Sequence, residues 1–223
     1  KHRRQRQMCI RDSLYSFKRC PYAMRARMAL HLAEIKCEIR EIRLSNKPEQ
    51  MLQVSPKGTV PILILGDKVI DESYDIVNWV IEESNIFDGN LDSDQIDLTE
   101  SLIKKFDDEF KHHLDRYKYA TRYENTDSDF HRAECLKILV DLEAIASSSK
   151  WILGENLNKL DISILPFIRQ YRIANPEWFD SLEEISRIRK ILSNYLDSEE
   201  FKKIMFKYDE WHLEAEPVFF PPI

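Results

Sequence analysis

The apolar residues between positions 14 and 83 alternate between the spacing of strands and that of helices. Helical spacing predicts a long helix over 21–35, in which Pro21 suits the first turn because its missing N–H would have no helical partner there. A second long helix is predicted from Ser73, a residue type that caps helix N-termini well. The predicted strands cover residues 14–17, 37–43, 61–65 and 68–70, with a short helix over 48–53 between the second and the third.

The period becomes purely helical after residue 92. Residues 162–168 are apolar nearly all round, which predicts a central buried helix, kinked or interrupted at Pro166. The earlier order, β-α-β, short helix, β-β-α, is typical of a thioredoxin-like α/β unit. The sequence therefore predicts a leader over 1–13, a thioredoxin-like α/β N-terminal domain over 14–83, a polar linker over 84–95 and an all-α C-terminal helical domain over 96–223.

Composition excludes several classes of protein. The longest aliphatic run, residues 62–65, is far shorter than the roughly 20 residues of a membrane helix. No apolar stretch follows a basic start as in a signal peptide, so we expect a cytoplasmic protein that does not enter a membrane. The four glycines never fall two in one loop, which excludes the glycine-rich loops that bind dinucleotides and phosphates.

Positive charge is concentrated at the start of the chain. With 33 basic and 39 acidic side chains the net charge is −6; without residues 1–13, which carry five basic and one acidic, it is −10. A body of that charge predicts no nucleic-acid partner. The string from Arg3 to Asp12 resembles the translation of a transposon adapter used in sequencing libraries. The resemblance implies that residues 1–13 are a non-native leader and that Cys9 is not a biological cysteine.

Cys20 is the candidate nucleophile. It stands immediately before the predicted helix at Pro21, where unpaired N–H groups and the positive end of the helix dipole stabilise a thiolate. Lys18 and Arg19 add positive charge nearby. The alternative is that Cys20 is a small buried apolar residue, as free cysteines often are.

The other cysteines and the histidines give no comparable signal. Cys37 and Cys135 lie within apolar patterns, with nothing arranged to ionise them, and no paired cysteine spacing suggests a disulfide framework. His112 and His113 are adjacent and so point to different sides of a helix. The sequence therefore predicts no metal site.

The motif Cys20-Pro21-Tyr22-Ala23 resembles the glutaredoxin active-site motif with its second cysteine replaced by Ala23. Residues 14–30, the stretch Lys57-Gly58-Thr59-Val60-Pro61 and the triplet Asp71-Glu72-Ser73 are together similar to the bacterial glutathione S-transferase family, especially its cysteine-containing, omega-like members. The similarity continues to residues 217–221. It includes residues 154–161, which resemble the family's helix start Gly-x-x-x-Ser/Thr-x-x-Asp with Asn158 in the Ser/Thr place.

The resemblance implies a glutathione site on the first domain. Val60 precedes Pro61, which corresponds to the family's cis-proline, and would pair with the cysteinyl part of glutathione like an added strand. Ser73 and its helix N-terminus would hold the γ-glutamyl carboxylate and Glu72 the amine, while Lys57 would reach the glycyl carboxylate. Without the family, Glu72 and Ser73 describe an ordinary capped helix start.

Aromatic residues are candidates for a second-substrate pocket between the domains. They are Tyr22, Tyr117 and Trp178, the last expected in a loop after Pro176, although aromatics at helical spacing more often pack in a core. Tyr15 and Ser16 offer hydroxyls that could activate glutathione. We rank them below Cys20, because its thiolate is the stronger nucleophile.

The resemblance implies a homodimeric glutathione transferase without a metal, of the omega-like, thioltransferase or dehydroascorbate-reductase type. In it, Cys20 would attack glutathionyl mixed disulfides with glutathione as co-substrate. Two alternatives remain open: conjugation of glutathione to a small electrophile, with Cys20 only holding glutathione, and a non-catalytic interaction protein similar to the stringent-starvation proteins. The sequence does not identify the second substrate.

Overall fold

The computed structural model describes residues 12–222. Of the predicted leader, residues 1–11 lie outside the described part, and Ser13 already belongs to the first strand. The strands are β1 Ser13–Ser16, β2 Cys37–Glu41, β3 Ile62–Leu65, β4 Lys68–Ile70 and β5 Phe219–Phe220. The helices are α1 Pro21–Leu32, α2 Glu49–Val54, α3 Ser73–Ser84, α4 Ser93–Lys105, α5 Lys111–Lys118, α6 Ser128–Ile145, α7 Lys159–Ala174, α8 Pro176–Ser181, α9 Ser186–Asp197 and α10 Glu199–Ile204.

The strands form one mixed sheet in the order β4-β3-β1-β2-β5. β1 runs parallel to β2 with Leu14 opposite Ile39, and antiparallel to β3 with Leu14 opposite Leu63. Parallel neighbours need a crossover, which α1 supplies. The order β1-α1-β2-α2-β3-β4-α3 confirms the predicted thioredoxin-like α/β domain, and the helices from α4 to α9 confirm the predicted helical region.

The described part of the chain divides into two compact units, residues 12–86 with 199–222, and residues 87–198. The predicted all-α domain over 96–223 therefore differs from the structure at its end. Backbone pairing explains the difference, because Phe219–Phe220 pairs antiparallel with the far edge of β2 and closes the sheet of the first unit. None of the helices within residues 12–222 is both long enough and apolar enough to cross a membrane.

Three local expectations also change. Ser73 is the first helical residue of α3 and Glu72 takes the N-cap position, so the predicted cap at Ser73 is wrong by one residue. α7 continues through Pro166 without interruption. The last three residues of the predicted linker, 93–95, are helical, because Asp92 and Gln95 form a reciprocal capping box that starts α4.

Candidate functional site

Cys20 occupies the N-cap position of α1, with an extended backbone. Its amide donates to Phe17 O at 3.0 Å and its carbonyl accepts from Met24 N at 2.9 Å, so the residue closes the loop after β1 and opens the helix. The first turn of α1 contains no acidic residue. The sulfur therefore lies at the positive end of a helix, as the sequence predicted, and the first turn of that helix brings no carboxylate near it.

The Cys20 thiol is half-buried and donates to the carbonyl of Val60 at 3.6 Å. Val60 is buried, the Val60–Pro61 peptide bond is cis, and Pro61 leads directly into β3. Cys20 packs against the apolar cluster that contains Tyr15 and Val60. The structure thus brings together two of the sequence-predicted elements, the cysteine and the Val60–Pro61 pair, which are 40 residues apart in the chain.

Ser73 and Glu72 lie side by side but in different surroundings. Ser73 is buried, and its Oγ accepts a hydrogen bond from Arg25 Nη1 at 3.4 Å. Glu72 is exposed and its Oε1 lies 2.7 Å from Lys57 Nζ. The start of α3 therefore presents one buried hydroxyl beside a cation and one exposed carboxylate already in an ion pair.

Lys57 is held by two carboxylates. Its Nζ donates to Glu72 Oε1 at 2.7 Å and to Asp71 Oδ1 at 3.2 Å, and these hydrogen bonds raise the pKa of the ammonium. Ser55 Oγ donates to the other oxygen of Asp71 at 2.7 Å, and that bond, followed by the contact with Lys57, lowers the pKa of the Asp71 carboxyl. Lys57 and Glu72 were predicted to hold opposite ends of one ligand, so a ligand that used both would have to open their ion pair.

Sequence reasoning missed two buried arginines of α1. Arg25 is fully buried below Ser73, with its guanidinium carbon 5.6 Å from the ring centre of Tyr22. Arg27 is also buried; it donates to Ser16 Oγ, to Lys18 O at 2.7 Å and to Ile204 O at 3.0 Å. Arg27 therefore holds the loop that ends at Cys20. A signal was present, since charged residues recur within an otherwise alanine- and methionine-rich helix.

A lysine that the sequence analysis did not single out also lies in this region. Lys47 Nζ is 3.3 Å from the point where a Cβ on Gly58 would stand. Gly58 has a positive φ of 62°, a conformation that glycine adopts without strain, and it lies two residues before Val60. In the part of the chain that the structure describes, Lys47 forms no ion pair.

The hydroxyls ranked below Cys20 are both engaged. The Tyr15 hydroxyl accepts from Arg40 Nη1 at 3.1 Å in a fully buried position, and Ser16 Oγ accepts from Arg27. Each hydroxyl already accepts from a cationic donor, whereas Cys20 is a partly exposed residue.

Of the predicted pocket aromatics, the structure brings two together. Tyr117 of α5 and Trp178 both contact the buried ring of Tyr171 edge-on, at centroid distances of 5.5 Å and 5.8 Å. The guanidinium of Arg132 lies 4.7 Å from the ring centre of Trp178. Trp178 belongs to α8, so its expected place in a loop is wrong; Asn175 accepts from the Trp178 amide and caps that helix. Tyr22 lies in the first unit.

The second unit also contains a cleft of about 620 Å³ that includes none of the predicted site residues. Charged and polar side chains at the ends of α7, α8 and α9 line much of it, among them the Arg172–Asp180 pair and Arg189. Its position does not change the assignment of the site around Cys20.

Comparison with known proteins identifies the first unit. A family model described as the N-terminal domain of glutathione S-transferase matches residues 14–86. A curated relative, the probable glutathione S-transferase parA of Nicotiana tabacum, is 28% identical over 168 residues, which are 73% of this chain and 70% of that protein. This relative is a plant protein, so the expected likeness to bacterial members is not confirmed.

Solved structures agree on the fold. A glutathione transferase family member from Pseudomonas fluorescens, crystallised with two glutathione bound, matches with a TM-score of 0.76 at 16% identity, covering 89% of this chain and 94% of that one. Glutathione transferase Omega 3C from Trametes versicolor matches with a TM-score of 0.72 at 19% identity and 90% coverage of both chains. At these identities the omega likeness concerns architecture alone. Residues 14–86 therefore match the N-terminal domain of glutathione S-transferase, in a chain whose curated relatives include glutathione S-transferases.

Proposed function

We propose that this chain is a glutathione-dependent thiol transferase in which Cys20 is the nucleophile. The observation that carries the proposal is the position of Cys20, a partly exposed residue at the N-cap of α1 and beside the Val60–Pro61 pair. A helix N-terminus favours the thiolate, which is the attacking form of cysteine. The family of the N-terminal domain supports glutathione as the co-substrate.

The proposed reaction has two exchanges. The Cys20 thiolate attacks the glutathionyl sulfur of a mixed disulfide, the old S–S bond breaks, and the substrate leaves as a thiolate that takes a proton from water. A second glutathione thiolate then attacks the Cys20–glutathione disulfide, releasing oxidised glutathione and restoring Cys20. Ala23 cannot act as a resolving cysteine, so a one-cysteine cycle is favoured over an internal disulfide.

In this proposal, the main-chain atoms of Val60 pair with the cysteinyl part of glutathione. The Val60 carbonyl then no longer accepts from the Cys20 thiol. Ser73 and the first amides of α3 take the γ-glutamyl carboxylate, helped by the positive charge of Arg25, and Glu72 takes the amine. For the glycyl carboxylate we favour Lys47 over Lys57. The charge of Lys57 is already balanced by two carboxylates.

Intact mass after incubation with oxidised glutathione tests the central claim. We expect one adduct of glutathione mass, mapped to Cys20 by peptide mass spectrometry, and loss of both the adduct and thioltransferase activity in Cys20→Ser. A rate loss of about a hundredfold or more is expected for removal of a nucleophile. Thioltransferase activity that survives in Cys20→Ser would contradict the proposal.

The other cysteines supply matched controls. Burial raises the pKa of Cys37 to about 12, with Asp12 and Glu38 adding to the shift, and burial also raises the pKa of Cys135. Cys37→Ser and Cys135→Ser should therefore keep both the adduct and the activity. Cys9→Ser is a further control, because that residue precedes the described part of the chain.

Conjugation of glutathione to an electrophile is the second candidate. The observation that favours it is the hydrogen bond from the Cys20 thiol to Val60 O, which stabilises the protonated sulfur in the absence of ligand. Under this alternative Cys20 holds glutathione, and the conjugation rate of Cys20→Ser stays within a few-fold of that of the unmodified protein. The same variant thus separates the two reactions.

The proposal includes a homodimer and a cytoplasmic location. Sedimentation of the purified chain tests the homodimer, which predicts twice the mass of a single 26.6 kDa chain.

A further inference from the structure

Three histidines of the second unit come together, although the sequence analysis expected the adjacent pair to diverge. His112, His113 and His131 each place one ring nitrogen within 4.8 Å of the other two. His113 Nδ1 and His131 Nδ1 are 2.8 Å apart. The ring centroid of His112 lies 5.0 Å from that of His113 and 5.9 Å from that of His131.

The register of α5 against α6 explains why the three meet. Cys135 Sγ donates to Phe110 O at 3.7 Å near the start of α5, and Ser128 Oγ donates to Tyr117 O at 3.2 Å near its end. The two helices are therefore antiparallel neighbours, and the position opposite residue 113 falls near residue 131. His131 of α6 thus contacts the His112–His113 pair of α5. Spacing within one helix could not have predicted this contact.

We propose that His112, His113 and His131 bind a divalent cation of the borderline class, with Zn²⁺ as the reference ion. Three imidazole nitrogens are a common protein ligand set for zinc and also suit copper and nickel. His112 is exposed and the other two are half-buried, so the site opens to water on one side. Three protein ligands and an open position match zinc sites that keep a water as the fourth ligand.

The surroundings of His113 and His131 lower the pKa values of both rings. Burial, followed by the neighbouring His131, His112 and Arg116, lowers the pKa of His113 below its usual 6.5. Burial, followed by Arg116 and His112, lowers the pKa of His131 as well.

The geometry requires a small rearrangement. With Zn–N bonds of about 2.0–2.1 Å, two ligands of a tetrahedral site lie roughly 3.4 Å apart. The His113–His131 pair must therefore open by about half an ångström, and the ring whose Nδ1 carries the shared proton must hold that proton on Nε2 instead. Rotation of the half-buried rings can supply this movement. Ring nitrogens that now lie up to 4.8 Å apart must also approach to roughly 3.4 Å.

One neighbour opposes the cation and one favours it. Arg116 Nη1 lies 3.0 Å from His112 Nδ1, so its guanidinium donates to one ring nitrogen of His112 and adds a positive charge beside the cluster. Glu134, one helical turn after His131, interacts electrostatically with both His113 and His131 and brings a negative charge. Arg116→Gln should therefore tighten binding by roughly three- to tenfold.

Calorimetric titration of the full chain with Zn²⁺ at neutral pH tests the site. We expect one saturable site, and in His113→Asn/His131→Asn an affinity lower by at least about tenfold, since even the loss of an outer-shell partner costs that much. Circular dichroism shows whether the double variant keeps its helices. Arg116→Gln is a second variant, in which we expect the zinc affinity to rise. A histidine cluster with only a structural role would not produce that increase.

Two control variants separate this site from other metal-binding groups. His212→Asn removes an exposed histidine of the first unit, and Cys20→Ser removes the thiol of the proposed thiol transferase; both should keep the zinc affinity. Equal affinity of the unmodified protein and the double histidine variant would overturn the proposal. So would the absence of a saturable site. Neither outcome depends on the activity at Cys20.

Discussion

Surroundings give the described cysteines different chemistry. Cys37 is buried in β2, where loss of hydration raises the pKa of its thiol to about 12, so at neutral pH it stays protonated. Cys135 is buried in α6, and burial raises its pKa too. Cys20 is partly exposed and stands at a helix N-terminus. A thiol-directed reagent at neutral pH should therefore distinguish Cys20 from the other two by position alone.

Asp161 shows how one buried side chain supports a helix start. Its Oδ1 accepts from Ile152 N at 3.0 Å and its Oδ2 from Asn158 N at 3.0 Å, and it is fully buried. Burial raises the pKa of this carboxyl to about 7, while the amide donors act in the opposite direction. The carboxyl therefore ties the preceding loop to α7 at both of its oxygens.

Asp161→Ala should destabilise the second unit by about 2–5 kcal/mol, because two buried N–H groups lose their acceptor. Urea denaturation followed by circular dichroism measures the change in the free energy of unfolding. Asp97→Asn, an exposed change on α4, is the matched control and should shift that free energy by less than about 0.5 kcal/mol. A shift no larger for Asp161→Ala than for the control would show that the two amides find other acceptors.

Individual residues also show what a single sequence can and cannot predict. The position of Cys20 at the start of α1 was predictable, because a proline in the first turn and the residue before it belong to one local pattern. The Lys57–Glu72 ion pair and the Arg25–Ser73 hydrogen bond were not, since each joins side chains brought together by the sheet. The sequence therefore predicted that Cys20 stands at the start of α1, but not the side-chain pairs around it.

At the scale of elements, a π-helical turn at Phe106–Phe110 has a sequence cause. Apolar residues recur at every fourth position from Leu98 to Leu114, and on an α-helix each step of four residues drifts by about 40°. A wider turn corrects the drift, and it leaves Phe106 and Phe110 both fully buried with ring centroids 4.5 Å apart. The hydrophobic pattern thus marks an apolar stripe from Leu98 to Leu114, but it does not predict the local widening that keeps the stripe on one face.

The α5–α6 helix pair should lose stability as the solution becomes acidic. His113 and His131 have pKa values lowered from 6.5, so the unfolded chain binds more protons than the native chain around and below that pH. The free energy of unfolding therefore falls as pH drops through 6.5 towards the native pKa values. The charges that face the pair are His112 and Arg116, which lower these pKa values, and Glu134 and Asp127, which raise them.

His131→Gln should flatten this pH dependence, since it removes one of the two shifted groups and relieves the other. Urea denaturation between pH 7.5 and pH 5, with a chelator present to exclude metal ions, measures the slope. His212→Gln is the control, because that exposed histidine belongs to the other unit, and it should keep the slope of the unmodified protein. An unchanged slope in His131→Gln would assign the acid sensitivity to other groups.

At the scale of the whole molecule, the end of the chain returns to the unit with which it began. Trp211 N donates to Glu41 O at 2.8 Å, and Trp211 Nε1 donates to Glu38 Oε1 at 3.2 Å. Phe220 is fully buried against β2. Sequence patterns could not locate this return, because a two-residue strand among prolines has no periodicity and its partner lies about 180 residues earlier.

Removal of residues 207–223 should therefore loosen the first unit and spare the second. The deletion exposes the edge of β2, takes away the Trp211 ring that lies 4.9 Å from the Arg40 guanidinium, and loses the burial of Phe220, worth roughly 1.5–3 kcal/mol. We expect amide hydrogen exchange in Cys37–Glu41 to become faster. Exchange in α9, which belongs to the second unit, should not change and is the internal control.

The same deletion links the fold to the proposed chemistry. Glu41, at the end of β2, accepts from Lys18 N in the loop that leads to Cys20. If the edge of β2 frays, that loop loses one of its supports, although Arg27 still holds it. The glutathione adduct on Cys20 should then form more slowly in the truncated chain. Faster exchange in β2 with an unchanged rate at Cys20 would show that Arg27 alone positions the thiol.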